Sequence, residues 1–282
     1  MKRLVILTGR GNLPHTFKEL ATKRGYKTFT VGVKGITDRK TDFSIPFLGF
    51  VEFEQLLKKL EKPYIVMLGK FEQNLPLLIA ESLFYKLKVK LFGGTYKRNY
   101  EIFLHLKRKA ETGQPAALIK AFIDYYESLG FRFLSSEKVK EILTPLFADN
   151  GNMTPTVKFE VNHQIKRFFQ YTASIADMDI GQSILVKDNT VVAVEGIEGT
   201  DKTIKRACKL AGKGLILLKA ARKNQDYRID IPAVGLDTLK ILKKCRVRAV
   251  ILESGKVLIV DKGKFLKEAE RNGIAVIGLT LH

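Results

Sequence analysis

Two successive α/β domains are what this chain's pattern predicts. Three observations lead there. The first third alternates short apolar runs with amphipathic stretches, which suits a parallel sheet covered on both faces by helices. The 282 residues are enough for one large or two medium cores. A polar turn cluster, Asp149-Asn150-Gly151-Asn152, then separates that texture from a second one with some antiparallel strands. The domains are expected over residues 1–134 and 135–282.

Each element has a local reason. Leu4 to Leu7 is an apolar run and reads as the first strand. His15 to Arg24 follows Pro14 and reads as a helix, because proline is accepted in a first turn. Thr28 to Val33 is a strand, Glu52 to Lys59 a helix and Tyr64 to Leu68 a buried strand. Asn74 to Lys86 is expected to be helical, and Ala116 to Gly130 forms a longer helix ended by its glycine. Phe131 to Leu134 closes this domain as a strand.

The second domain opens on a helix from Val157 to Asp177, with Phe159, Phe168 and Phe169 among basic residues. Its Lys166-Arg167 pair could face lipid or phosphate, although a core face with a charged back is commoner. Ser183 to Val186 and Val191 to Val194 form a hairpin around Lys187-Asp188-Asn189-Thr190. A helix from Asp201 to Ala211 and a strand from Gly214 to Leu218 follow. Then come a helix from Thr238 to Lys244, strands at Ala249 to Leu252 and Val257 to Val260, a helix from Phe265 to Arg271, and a last strand from Ala275 to Leu279.

The net charge of +20 restricts the partners. A surface so basic favours nucleic acid, an anionic membrane face or a phosphorylated substrate. The chain carries no helix-turn-helix signal, zinc knuckle or aromatic-rich single-strand motif, so nucleic acid is not the expected partner. No apolar run approaches the ~18 residues of a membrane span. The apolar run at the N-terminus is too short for a signal peptide and lacks a small-residue cleavage site. Cys208 and Cys245 are too few for a disulfide framework or a zinc site, and are expected to be thiols in a reducing compartment.

Three segments carry chemistry. Gly9-Arg10-Gly11-Asn12-Leu13-Pro14 joins the first strand to the first helix, where exposed N–H groups and a helix start favour anions. It lacks the third glycine of a dinucleotide fingerprint, which weakens a nicotinamide reading. Glu195, Glu198 and Asp201 put three carboxylates in seven residues, with Gly196 and Gly199 between them. A cation would relieve their repulsion; a solvated turn capping the next helix is the alternative. Lys219 to Pro232 interleaves Lys219, Arg222, Lys223 and Arg228 with Asp226, Asp230 and Gln225. Cations there suit phosphate oxygens and acids suit a metal, while a surface ion-pair network is the alternative.

The stretches "DIGQSILVKDNTVVAVEGIEGTDKTIKRA" and "KNQDYRIDIPAVGLDTL" resemble the carboxy-terminal signature of the UDP-2,3-diacylglucosamine pyrophosphatases of the lipid A pathway, the type without calcineurin-like metallophosphoesterase motifs. "ILTGRGNLP" and "LTPLFADNGNMTP" extend the likeness across nearly the whole chain, in order. There are departures. Gln114-Pro115 stands where the family usually has a pair of aspartates, and Arg10 interrupts a more usual triple glycine.

The resemblance implies a Rossmann-like N-terminal domain and a mixed α/β catalytic C-terminal domain. It implies a metal-dependent enzyme that cuts UDP-2,3-diacylglucosamine into UMP and a diacylglucosamine 1-phosphate. Within that frame, Asp230, Asp226, Glu195, Lys219 and Gln182 are the expected catalytic set. Gly9, Gly11, Asn12, Leu13, Arg228, Gln225 and Thr200 are expected to hold substrate. Asp226, Asp230, Glu195, Glu198 and Asp201 are the expected ligands of Mg2+ or Mn2+, since they are hard oxygens and neither cluster has a histidine. The expected location is the cytoplasm, in peripheral contact with the anionic inner face of the inner membrane; a homodimer is compatible. Two other functions compete: another metal-dependent nucleotide-sugar or phosphate-ester hydrolase, and a non-catalytic nucleotide- or nucleic-acid-binding protein.

Overall fold

The computed structural model describes residues 1–71, 87–110 and 115–281; the helix expected over residues 74–86 lies outside them. The chain divides into two compact units. The first is Met1–Ile142 with Tyr227–Ile229, and the second is Leu143–Asp226 with Asp230–His282. The division falls after Ile142 rather than at 134, because a further helix forms over Ser136–Leu143. Its Val139 and Ile142 are fully buried.

The first unit is built on β1 (Arg3–Thr8), β2 (Lys27–Val33), β3 (Phe43–Ile45), β4 (Tyr64–Leu68) and β5 (Arg132–Phe133). They lie in the order β3-β2-β1-β4-β5, and every pair is parallel. Leu4, Val5 and Ile6 in the central strand are completely buried, as a strand covered on both faces requires. The helices are α1 (Leu13–Lys23), α2 (Phe50–Lys59), α3 (Gly94–Lys109), α4 (Pro115–Ser128) and α5 (Ser136–Leu143). The sequence pattern conceals α3 because only Asn99, Ile102 and Leu106 are buried along its sixteen residues. Asn99 earns its buried place by capping another helix. Its Oδ1 accepts the Val51 N–H at 2.8 Å, in the first turn of α2, and its Nδ2 donates to Glu52 at 2.8 Å.

The second unit carries a six-stranded mixed sheet. Its strands are β6 (Gly151–Asn152), β7 (Ser183–Lys187), β8 (Thr190–Val194), β9 (Ile216–Lys219), β11 (Ala249–Glu253) and β13 (Ala275–Leu279). The order is β6-β13-β11-β9-β7-β8. Strands β9, β11 and β13 run parallel, while β7 runs against both β8 and β9. The hairpin closes as expected: Asp188 and Asn189 both take positive φ, 45° and 58°, the tight two-residue loop that matches strand twist. Of the strand expected at Val257 to Val260 only β12 (Leu258–Ile259) forms. It pairs in parallel with β10 (Ala233–Val234), away from the main sheet.

Helices α6 (His163–Asp177), α7 (Thr200–Ala211), α8 (Leu236–Lys244) and α9 (Lys262–Arg271) complete the unit. Helix α6 starts later than Val157 because Asn162 Oδ1 caps it, accepting the Ile165 N–H at 3.0 Å. Phe168 and Phe169 are buried in a cluster with Ile184, Leu218 and Ile251. They are core residues, so the lipid-facing reading of that helix loses its apolar half.

Cys208 and Cys245 are not thiols here. They form a disulfide between the last turn of α7 and the end of α8, with Cα atoms 5.7 Å apart. The bond spans 37 residues, and on the chain-entropy account a loop of that length is worth roughly 4 kcal/mol. Reduction, or Cys208→Ser, is therefore expected to lower the melting temperature of the second unit by roughly 10 °C. Calorimetry with and without reductant checks this; superimposable scans for all three samples would remove the bond from the stability of the fold.

Candidate active site

Several chain segments end at one edge of the second unit's sheet. They are the carboxyl ends of β8, β9 and β11, the start of the antiparallel β7, and the first turn of α7. Ligands in α/β sheets bind beyond the carboxyl ends of parallel strands. Strand register puts Ser183 of β7 directly opposite Lys219, the last residue of β9.

Lys219 is 3% exposed. Its ammonium donates to Ser183 Oγ and to Thr200 Oγ1, each at 3.0 Å. It also lies 3.6 Å from Glu195 Oε2. Thr200 Oγ1 in turn donates to Glu195 Oε1 at 2.8 Å. A buried cation is tolerated only with a counter-charge and hydrogen-bond acceptors, and these three side chains supply both. Burial raises the Glu195 carboxyl pKa, but the Lys219 charge and the polar groups of Ser183, Thr200 and Gln182 outweigh it, holding the group below the ordinary carboxylate value. Glu195 Oε2 has no hydrogen-bond partner among the described residues. An orphaned buried acceptor calls for an explanation, and a bound ligand or water supplies one. The backbone comes close here too: a Cβ at Gly181 would sit 2.0 Å from the Glu195 carbonyl oxygen, so only glycine fits.

A second network begins one residue away. Gln182 Nε2 donates to Asp230 Oδ2 at 2.9 Å, and its carbonyl accepts the Ala220 N–H at 3.0 Å. Gln225 Nε2 donates to the Asp230 carbonyl at 2.6 Å. The Arg222 guanidinium pairs with Asp179 and lies 3.8 Å from Asp230 Oδ2. Glu253, 2% exposed at the end of β11, accepts the Ala221 N–H at 2.9 Å and pairs with Lys256 at 2.6 Å. It thereby ties the loop after β9 to the sheet edge. Consecutive residues Gln182 and Ser183 join the two networks.

The other expected site residues have different surroundings. Glu198 accepts from Arg206 at 2.5 Å and from the Gly196 N–H at 3.2 Å, and its carboxyl is held low first of all by Arg206. Asp201 accepts from Thr238 Oγ1 of α8 at 2.7 Å. Asp226 and Asp230 close one turn, with the Asp230 N–H on the Asp226 carbonyl at 3.2 Å. Among the described residues, no three histidine, cysteine or carboxylate side chains gather as a metal-holding group. The five acids expected to share a cation are thus not one cage.

In the first unit, Gly9, Gly11, Asn12 and Leu13 follow β1, where the strand order reverses. A Cβ at Gly9 would lie 2.7 Å from the Lys70 carbonyl oxygen. The Gly11 N–H already donates to the Asp38 carboxylate, at 3.2 and 3.3 Å to its two oxygens. The Asn12 carbonyl accepts from His15 and Thr16, both at 3.1 Å, and Leu13 begins α1. Arg228 groups with this unit and lies 4.0 Å from Glu127.

Sequence reading assigned no role to Ser183, Asp179 or Glu253; Arg222 it counted only among the loop cations suited to phosphate oxygens. Strand register is the signal for Ser183, since it stands opposite Lys219 only once β7 and β9 are paired. For Glu253 the signal is an acid ending a wholly apolar strand, with Lys256 three residues on.

A two-domain α/β protein with a buried lysine–carboxylate centre at the carboxyl edge of its second sheet is the class defined so far. Comparison makes it specific: residues 3–143 match the LpxI N-terminal domain and residues 150–277 the LpxI C-terminal domain. The chain belongs to the LpxI family, as the motif resemblance implied. It is similar to the UDP-2,3-diacylglucosamine pyrophosphatase LpxI of Caulobacter vibrioides, with 28% identity over 171 residues. That match covers 58% of this chain and 60% of the relative, so the chain spans less than two thirds of that protein's length.

Proposed function

We propose that this chain hydrolyses the pyrophosphate bond of UDP-2,3-diacylglucosamine, releasing UMP and 2,3-diacylglucosamine 1-phosphate for lipid A synthesis. Water adds across the P–O–P bridge, so each product keeps one phosphorus. On this reading the reaction occurs on the cytoplasmic, anionic face of the inner membrane, where a diacylated substrate resides, and the Cys208–Cys245 bond there stands against a reducing medium. The similarity to the UDP-2,3-diacylglucosamine pyrophosphatase of Caulobacter vibrioides supports the substrate. The observation that carries the chemistry is the buried Lys219, paired with Glu195 at 3.6 Å at the carboxyl edge of the sheet.

The roles follow from the contacts. Lys219 offers its charge to a phosphate oxygen, in a dry setting where that charge acts strongly. Glu195 and Thr200 hold the ammonium in place. Gln182, fixed on Asp230, positions that carboxylate, and Arg222 offers a second cation beside it. A dedicated cage of acids is absent from the described residues, yet Mg2+ ordinarily takes one or two carboxylates and completes its shell with water and substrate phosphate. Asp226 and Asp230, one turn apart in the loop after β9, would be that smaller set, with Asp230 also beside Arg222 at 3.8 Å; Glu198 pairs with Arg206, Asp201 with Thr238, and Glu195 with Lys219. A bound Mg2+ or Mn2+ supplies charge neutralisation of the phosphates and activation of water.

The test is UMP release from UDP-2,3-diacylglucosamine by the purified chain. Excess chelator is expected to abolish it and Mg2+ or Mn2+ to restore it. Full turnover in chelator would sink metal dependence; absence of UMP with metal present would sink the activity.

A further inference from the structure

We infer that residues 87–104 of the first unit form the surface that docks on the membrane, and that its partner is an anionic lipid bilayer. The inference deepens the membrane part of the function proposed above and does not depend on the chemistry. Residues 87–92 are helical and present Leu87, Leu91 and Phe92, which are 55%, 64% and 69% exposed. Large apolar side chains clustered in water mark an interaction surface. Gly93 and Gly94, with φ of 55° and 51°, turn the chain into α3, where Leu104 is 38% exposed. The Phe92 and Tyr96 rings lie 6.1 Å apart, and the Lys88 ammonium sits 4.9 Å over Tyr96.

Charge decides the partner. Between residues 87 and 109 there are seven lysines and arginines and one acid, Glu101. Lys88, Lys90 and Lys97 flank the exposed leucines and Phe92, while Arg98 pairs with Glu54 at 3.4 Å. Apolar side chains at the acyl boundary with lysines at the phosphate level make an interfacial segment. A second copy of the chain fits poorly, since a two-fold contact would set two such basic surfaces face to face. Nucleic acid would use the cations but has no use for the aliphatic Leu87 and Leu91. Among the described residues no helix is long and apolar enough to cross a membrane.

Co-sedimentation of the full chain with phosphatidylglycerol-containing vesicles tests this, against pure phosphatidylcholine vesicles and duplex DNA. The parent is expected to bind the anionic vesicles and to release them as salt rises. Leu91→Glu with Phe92→Glu should weaken that binding by about tenfold or more, with the melting temperature and UMP release from detergent-dispersed substrate unchanged. Lys166→Glu with Arg167→Glu, on α6, should bind as the parent does. The chain has no tryptophan, so Phe92→Trp gives a single reporter whose emission should shift blue on anionic vesicles only. The inference is overturned if the parent ignores anionic vesicles, if the Leu91/Phe92 variant binds them like the parent, or if that variant loses DNA binding alone. Vesicle binding that follows the expected pattern without any UMP release would overturn the enzymatic reading and leave the docking surface standing.

Discussion

Asp230→Ala is expected to cut UMP release by at least about a hundredfold, or about 2.7 kcal/mol of transition-state stabilisation. Melting should hardly change, because the side chain is 44% exposed and anchors no apolar packing. The loss follows from the contacts. Asp230 receives Gln182 at 2.9 Å and pairs with Arg222 at 3.8 Å, so its charge is oriented at the sheet edge beside a cation. Asp226→Ala, at the other end of the same turn, is the companion measurement. Near-parental kcat in both variants would take this turn out of the chemistry, leaving Lys219 and Glu195 to carry it.

The second large effect is on stability. Glu195→Gln leaves the Lys219 ammonium 3% exposed without its counter-charge, and breaking such a buried pair costs roughly 3–5 kcal/mol. The second unit should melt about 10 °C lower near pH 7. The pH dependence has a definite sign. The Glu195 carboxyl is held below its ordinary 4.5 in the folded state. Its stabilising contribution is therefore whole above 4.5 and disappears as pH falls through the folded value. The gap in melting temperature between parent and variant should narrow as pH is lowered from 6 toward 3. Lys219→Met placed on Glu195→Gln should recover part of the loss, since the cost lies in the unpaired charge. A pH-independent gap, or a double variant no better than the single, would contradict this account.

The strands of the first unit were legible because each is an unbroken apolar run, and the hairpin because Asp188-Asn189 suits its tight turn. Helix α3 was not, since two glycines and a crowd of cations hide an apolar stripe only one or two residues wide. The disulfide was illegible because the ends of α7 and α8 become neighbours only on folding. The site was half legible. Lys219, Glu195, Gln182 and Asp230 stand out as charged or polar residues at strand ends and in a loop. Their partners do not, because strand pairing alone brings Ser183 to Lys219. For the three acids at 195–201 the sequence leaves a cation site and a solvated turn both open, and the structure gives each acid its own partner. Glu195 turns inward to Lys219, whereas Glu198 takes Arg206 and the Gly196 N–H, and Asp201 takes Thr238. Their mutual repulsion is thus relieved by separate partners.

The pairing of Ser183 with Lys219 also bears on how this protein can change over evolution. Side chains alternate faces along a strand, so a one-residue insertion in β7 or β9 would exchange the two faces. Lys219 would trade places with a leucine, and the ammonium would be driven into hydrocarbon. Length variation in this half of the molecule should therefore accumulate at the Asp188-Asn189 turn and in the solvent-facing connections. The few residues of β7 and β9 should keep their length among relatives whose sequences have otherwise drifted far apart.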